Sequence, residues 1–499
     1  MFYPFAMSLT LNGNGTGHAR SSTPPPPKPQ SSAIKEGYVT FKTSDAVELR
    51  GALTRMTRLA AAFELYTPKT VLSTSEILQN FSIHFQGNVL YSGQAVIRNL
   101  MDTGAKMVCE VMLSETHWPK LVTADTVESD GRIGAMFKEF LGDWQKFYKI
   151  SPEFKATVAD MQTFLQDLQL WLDQIELEIH TLPGPQRART ERRLMEELGK
   201  LFVPAFDVLH ERLENISAQI SADLRPAHRV FIQRQLHPLM LCSPFGHRAY
   251  SKPLGYAGDY EMVNMIALDP YQGPTLFAKL VNLWFLSQWP SKAHRNRLTY
   301  LKQLLETETL RACRQKKKAR IFNFACGPAM EMQRFVSDFE FRDAAELTLA
   351  DFNQETLDHL QKIMSGIKAK KGARTVLNFQ RKNVHQLIKD NARRAADAPE
   401  YDLIYCAGLF DYLPDGTCSR MMEIFYDWLA PGGVLAVTNV VDDKPFRHML
   451  EFVLDWHLIY RDVEESRSIF PDSIPREARS VKKDPTGVNI FLEARKPCD

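Results

Sequence analysis

One stretch constrains the fold of this chain more than any other, residues 319–332, which read ARIFNFACGPAMEM. An apolar run containing Ile321, Phe322 and Phe324 breaks into the small-residue turn Ala325-Cys326-Gly327-Pro328-Ala329, and Glu331 opens a helical pattern. A strand that ends in a tight turn and feeds a helix aims unpaired backbone N–H groups at whatever fills the turn. An α/β sheet opens a nucleotide site in this way. Two of the three glycines of a dinucleotide fingerprint are replaced, so the turn alone fits an ordinary strand-to-helix connection equally well.

The segments that follow strengthen the reading. Residues 346–351 form an apolar strand ending in Asp351, about 20 residues past the loop, where a doubly wound fold places its ribose-binding acid. Residues 375–379 read as a third strand, with Asn383 and Val384 just beyond, and residues 401–406 as a fourth that runs into 407–413. A helix over 419–429 leads through Ala430-Pro431-Gly432-Gly433 to a fifth strand at 434–440. Strands alternating with helices predict a parallel sheet with βαβ crossovers.

The ordered segments FACGPAME, LADFNQETL, YDLIYCAGLFDYL and LAPGGVLAVTNV resemble a class I S-adenosylmethionine-dependent methyltransferase, a Rossmann-like α/β fold, over residues 317–499. The resemblance implies S-adenosyl-L-methionine as cofactor. It assigns Cys326, Gly327, Pro328 and Ala329 to the methionine end and Asp351 to the ribose, with Asn323, Ala325, Glu331 and Phe352 also at the cofactor. Asn383 with Val384 falls at the adenine, and Ala407, Gly408 and Leu409 at the transferred methyl. Asn323 and Asn383 stand where acids are common, and Ala325 and Ala329 where glycines are. Because alanine at positive φ is costly, ordinary backbone angles are expected at both alanines. A nicotinamide or flavin Rossmann domain is the rival, disfavoured by the absent G-x-G-x-x-G.

At 499 residues the chain exceeds one ordinary domain, and 44% apolar residues suffice for packed cores. A formal net charge of +2 gives no bulk reason to expect nucleic acid as a partner. Seven cysteines without C-x-x-C spacing point to free thiols in a reducing cytoplasm rather than disulfides or zinc, and no metal site is expected. No apolar run reaches membrane-spanning length, and no secretory leader is expected.

Residues 1–35, with Pro24 to Pro27 in series, cannot build a core and read as a disordered, dispensable Pro-rich tail. Residues 36–125 carry the short β-rich runs YVTFKT, AAFELYTP, TVLSTS, FSIHFQG, NVLYSGQAVIRNL and KMVCEVML, which predict a small antiparallel barrel or sandwich. The segment is similar to a PilZ-type barrel, a fold that binds cyclic-di-GMP, with Arg50, Arg55 and Arg58 as candidate nucleotide contacts. The D/N-x-S-x-x-G turn of that family is not recognisable, so cyclic-di-GMP is disfavoured and a degenerate interaction domain preferred. Residues 130–240 are helical. Met161, Leu165, Leu168, Leu172, Ile175 and Ile179, then Leu209, Leu213, Ile216 and Ile220, keep heptad-like steps on either side of Pro183-Gly184-Pro185. That pattern predicts an antiparallel hairpin, and fits internal packing or a homodimer equally. His180, His210, His228 and His237 are read as surface or packing residues with no carboxylate at i, i+4.

Residues 241–316 are expected to cap the sheet. Within them, 243–261 is dense in Gly, Pro, Tyr and charge, which suits a lid over cofactor and substrate better than a linker. Candidate catalytic residues are Tyr256, Asp259, Asp411 and His457. Candidate substrate contacts are His247, Arg248, Lys252, Tyr260, Tyr412 and Trp456. The 243–261 block and residues 455–461 also resemble a bacterial methyltransferase group linked to 3-hydroxypalmitic acid methyl ester biosynthesis, which implies a fatty-acid carboxylate as methyl acceptor, in signalling. A carboxylate is ionised at neutral pH and needs orientation rather than a base. Two other classes stand beside this one. An RNA or protein methyltransferase draws support from the basic run at 314–320. A cyclic-di-GMP receptor on an inactive methyltransferase fold draws support from the barrel.

Overall fold

The computed structural model describes residues 37–44, 47–57, 59–66, 72–85, 88–102, 106–114, 134, 137–138, 141, 149–315, 317–395 and 400–498. The Pro-rich tail and Arg58 lie outside them.

The first unit is a closed barrel. Its antiparallel strands are β1 (Gly37–Lys42), β2 (Glu48–Met56), β3 (Ala60–Leu65), β4 (Ile77–Phe85), β5 (Asn88–Asp102) and β6 (Met107–Leu113), joined in the order β1-β2-β3-β6-β5-β4. Alternate residues point inward, and Phe41, Phe63, Phe81 and Tyr91 fill the interior with ring centroids 5.3–6.2 Å apart. Two strand expectations are corrected. ELRGALTRM is a strand, its arginines and glutamate having obscured the apolar alternation, whereas residues 72–75 of the TVLSTS run, with Glu76, leave the barrel as a loop. Arg50 stacks over the Tyr38 ring and Arg55 pairs with Glu110 at 3.0 Å.

The middle region is helical. Helices α1 (Pro152–His180) and α2 (Gly184–Ala218) form the expected antiparallel hairpin, turning at Pro183. Ser151 caps α1 by accepting the Phe154 N–H. The periodic residues Met161, Leu165 and Leu172 pack with Phe202, Phe206 and Leu213 into one buried cluster. The histidine expectation is corrected: Glu176 lies beside His180 at 3.6 Å, and Glu214 sits buried between His210 and His448. Helix α3 (Arg225–Met240) follows, then α4 (Pro244–Ser251), α5 (Tyr260–Ala267), α6 (Leu276–Ser287) and α7 (Trp289–Arg314).

The last unit is a seven-stranded sheet. Strands β7 (Ala319–Phe324), β8 (Ala345–Asp351), β9 (Val376–Arg381), β10 (Tyr401–Cys406) and β11 (Leu429–Val440) run parallel. Strand β13 (Asn489–Arg495) lies antiparallel between β11 and β12 (Arg479–Lys483), giving the order β12-β13-β11-β10-β7-β8-β9. Helices α8 (Met330–Asp338), α9 (Gln354–Lys371), α10 (Val384–Asn391), α11 (Asp415–Asp427) and α12 (Val463–Ser468) complete it. The helix expected over 419–429 begins earlier, and Pro431-Gly432-Gly433 falls inside β11 at a register shift opposite residues 401–403. A proline that cannot donate to the ladder is tolerated at such an irregularity. The strand order reverses between β7 and β10, the place where open α/β sheets bind ligands.

Beyond β11 the chain leaves the sheet. A π-helical turn at Met449–Val453 inserts Met449, Phe452 and Val453 into the helical core. Asp455 is pinned there by Arg229 and by Gln233 at 2.9 Å. Burial alone would raise its pKa, but the Arg229 guanidinium holds it at about 2. All seven cysteines are free thiols. Among the described residues no helix is long and apolar enough to cross a membrane.

Candidate active site

At the carboxyl ends of β7, β8 and β10 lies a cavity of about 360 Å³, within the range of small-molecule sites. Every residue expected at the cofactor lines it: Asn323, Ala325, Cys326, Gly327, Pro328, Ala329, Glu331, Asp351, Phe352, Asn383, Val384, Ala407, Gly408 and Leu409.

The loop after β7 corrects one expectation. Ala325 and Ala329 both adopt positive φ, at 56° and 45°, as does Gly327 at 51°. The turn keeps the left-handed geometry of a glycine loop although two positions carry a Cβ, and each alanine carries a cost of about 1–2 kcal/mol. Strain of this kind persists where the surroundings impose it. Here Cys326 N–H donates to the Ala350 carbonyl at 3.0 Å, and Gly327 N–H donates to Asp351 Oδ2 at 3.0 Å. The β7 loop and the β8 carboxylate therefore hold each other. Asn353 N–H donates to Asp351 Oδ1 at 3.0 Å, so each carboxylate oxygen accepts one backbone bond and keeps a lone pair for a ligand hydroxyl. Burial pushes the Asp351 carboxyl up to about 6, partly offset by these backbone donors. Asn383 caps α10, its side-chain oxygen accepting the Gln386 N–H. Glu331 is buried and accepts from Tyr405 Oη at 2.6 Å and Asn323 Nδ2 at 3.2 Å.

The segment 243–261 spans α4, a turn and α5, and the turn closes one side of the cavity. Tyr256, Ala257, Gly258 and Tyr260 line it. The Tyr256 ring packs on Phe352 at 5.0 Å, and Tyr260 Oη donates to Glu355 at 3.0 Å. Gly258, at φ 73°, lies against Tyr412, and a Cβ there would come within 2.8 Å of Tyr412 Oη. Trp456 Nε1 donates to that same hydroxyl at 2.9 Å. Asp411 accepts the Val440 N–H at 2.8 Å, and burial, offset in part by Arg297, raises its carboxyl to about 6.

Five expected site residues lie elsewhere. Asp259 caps α5, accepting the Glu261 and Met262 N–H groups, and pairs with Arg248 at 2.8 Å, so both hold the 243–261 segment together. His247 is exposed on α4. Lys252 is buried and donates to the Leu454 carbonyl at 3.2 Å. His457 does not line the cavity although Trp456 and Leu458 on either side of it do, and its burial depresses its pKa to about 4.

Sequence reading missed two groups. The barrel contributes Thr43, Ser44, Ser73, Thr74 and Glu76 to the cavity wall. Its 72–76 loop is locked down: Thr74 N–H donates to the Tyr412 carbonyl at 3.2 Å, Ile77 N–H to the Gly255 carbonyl at 2.8 Å, and Ser75 Oγ to the His457 carbonyl at 2.8 Å. No local motif announces such a docking. Helix α7 contributes His294 and Arg297. The signal for these was present, since they fall among Ala293, Leu298, Leu301 and Leu305 on a buried apolar stripe where polar residues are costly. The lining also includes the apolar side chains of Phe285, Phe446, Leu450 and Leu458. Of the basic run, Lys317 pairs with Asp402 at 2.8 Å.

The chain matches no family model and no curated protein. Among solved structures it is similar to a possible exported protein from Bordetella parapertussis, at 19% identity and a TM-score of 0.42, covering 54% of this chain and 88% of that one. It is also similar to magnesium protoporphyrin IX methyltransferase from Synechocystis PCC 6803 with bound SAH, at 12% identity, a TM-score of 0.30, and 42% and 88% coverage. A further likeness is to the N-methyltransferase NodS from Bradyrhizobium japonicum WM9 in complex with S-adenosyl-L-homocysteine, at 16% identity, a TM-score of 0.28, and 48% and 98% coverage. At these scores the chemistry of the site rests on its own geometry.

Proposed function

We propose that the protein is a class I, Rossmann-like S-adenosylmethionine-dependent methyltransferase. The observation that carries the reading is the buried Asp351 carboxylate, tied to the Gly327 loop and open to a cavity at the switch point of the sheet. The donor set suits a nucleoside carrying an amino-acid tail. Asp351 takes the ribose hydroxyls, Phe352 and the Asn383 turn flank the base, and the loop at 325–329 takes the tail. The cofactor supplies an activated methyl group. The chain's own part is to align the acceptor with it and exclude water, which is where most of the rate advantage of a bimolecular transfer lies. Tyr256 and Tyr260 of the lid and Thr74 of the barrel, which is PilZ-like, close the remaining sides.

The acceptor is a small molecule with an apolar body, seated against Phe285, Phe446, Leu450 and Trp456, and its reacting group is a carboxylate, as in a 3-hydroxy fatty acid. Label from methyl-labelled cofactor, added with the protein to an extract of cells lacking the gene, should enter a lipid ester and be released as methanol by alkali. Label in RNA or protein would contradict this acceptor class.

Calorimetry with S-adenosylhomocysteine tests the site. Asp351→Ala should weaken binding by at least tenfold, since a hydrogen bond to a charged group contributes about 1.5–3 kcal/mol. The wild-type carboxyl titrates at about 6, and ligand hydroxyls favour its ionised form, lowering its pKa in the complex. Affinity should therefore fall as pH drops below about 6, by at most about tenfold per unit, and Asp351→Asn should flatten the profile. A folded Asp351→Ala variant of unchanged affinity would contradict the assignment.

A further inference from the structure

Helix α7 carries a cation into the cavity, Arg297, that makes no ion pair among the described residues. The Arg297 guanidinium packs closely against Gly408, where a Cβ would sit 3.2 Å from both Nη atoms. Gly408 itself is at φ 94°, so glycine there serves both the backbone angle and the close approach. Among the described residues the hydrogen bond made by Arg297 goes to His294, with Nη2 2.7 Å from Nδ1. An arginine can only donate, so His294 Nδ1 accepts, and the neutral ring carries its proton on Nε2. Burial, with Arg297 and Arg295 nearby, depresses the His294 pKa well below its ordinary value, which keeps it neutral. Its Nε2 is buried and has no partner among the described residues. Asp411 and Glu331 act on Arg297 through space without pairing with it directly, Asp411 being held by the Val440 N–H and Glu331 by Tyr405 and Asn323.

We propose that Arg297 and His294 form a carboxylate-binding subsite of the cavity, in which the guanidinium N–H groups and the His294 Nε2–H hold the two oxygens of a bound ligand. A buried guanidinium that makes no direct ion pair is costly, and an anionic ligand bound to it offsets that cost, whereas a neutral ligand does not. Two sources share this chemistry, the amino-acid carboxylate of the cofactor and the carboxylate of the acceptor. The inference rests on the methyltransferase reading for the identity of these ligands, though not for the presence of an anion site.

The test is calorimetry on the full chain, wild type and Arg297→Met, with four titrants. S-adenosylhomocysteine is compared with 5′-methylthioadenosine, which lacks the carboxylate, and decanoate with decanol. In the variant one carboxylate titrant should lose at least tenfold in affinity while its neutral counterpart is unchanged. Loss for S-adenosylhomocysteine assigns the subsite to the cofactor, and loss for decanoate assigns it to the acceptor. A structural role is separated by melting temperature: ligand-free Arg297→Met should be at least as stable as wild type, because an unpaired charge has gone. Should that variant not fold, Arg297→Lys keeps the charge but loses the planar fork, and a severalfold loss for one carboxylate is still expected. Equal affinity of variant and wild type for both carboxylates overturns the proposal. Failure of the wild type to bind either nucleoside refutes the methyltransferase reading separately, with the decanoate arm, run without nucleoside, still reporting on the anion site.

Discussion

Ala325 and Ala329 show at the scale of single residues what the loop after β7 demands. Sequence reasoning took their methyl groups as a sign of ordinary backbone angles, because it weighed the local cost alone. The fold imposes the left-handed turn regardless, through the Cys326–Ala350 and Gly327–Asp351 hydrogen bonds. Ala325→Gly relieves about 1–2 kcal/mol of steric cost and gives back about 0.4–1 kcal/mol in unfolded-chain entropy. Chemical denaturation should therefore show a gain of up to about 1.5 kcal/mol with cofactor-site affinity retained; a loss of stability would mean that the alanine methyl matters more than the turn. Arg297 and His294 were equally legible in principle, as polar residues on an apolar stripe. Their meaning required the cavity, which no sequence window contains.

At the scale of elements, the lid is the part most exposed to test. Gly258 packs on Tyr412 with no room for a Cβ, and Tyr256 covers Phe352. Gly258→Ala should cost about 1–2 kcal/mol of stability for its positive φ. It should also lower methyl transfer to the lipid extract by at least tenfold, because the lid can no longer seat. Tyr256→Phe should lower transfer with little change in melting temperature. Asp259→Asn serves as the contrast: as a helix cap and ion-pair partner it should lower stability and transfer in parallel. Normal transfer in stable Gly258→Ala protein would reject closure by this segment. Gly255, Tyr256 and Gly258 of 243–261 fall in the turn that borders the cavity, whereas Asp259, Arg248 and Lys252 brace the segment itself. Charged residues in a dense loop look alike whether they face a ligand or brace the loop, and only the α5 N-terminus and the Leu454 carbonyl reveal which.

For the whole molecule, the units recognisable along the chain are not independent in space. The parallel strands, the helical hairpin and most barrel strands follow from periodicities of 2 and 3.6 residues. What periodicity could not convey is that the 72–76 loop of the barrel, helix α7 and the excursion at 446–458 converge on one cavity from distant parts of the chain. Such convergence depends on long-range hydrogen bonds, Ser75 to His457 and Ile77 to Gly255 among them. The barrel thus forms a wall of the site rather than an appendage.

A co-crystal structure with S-adenosylhomocysteine tests this account most directly. The ribose should lie within hydrogen-bond distance of Asp351, the base between Phe352 and Asn383, and the sulfur should face the cavity between Gly408 and Trp456. A ligand bound away from Asp351, or a fully formed cavity that excludes the nucleoside at saturating concentration, would contradict it.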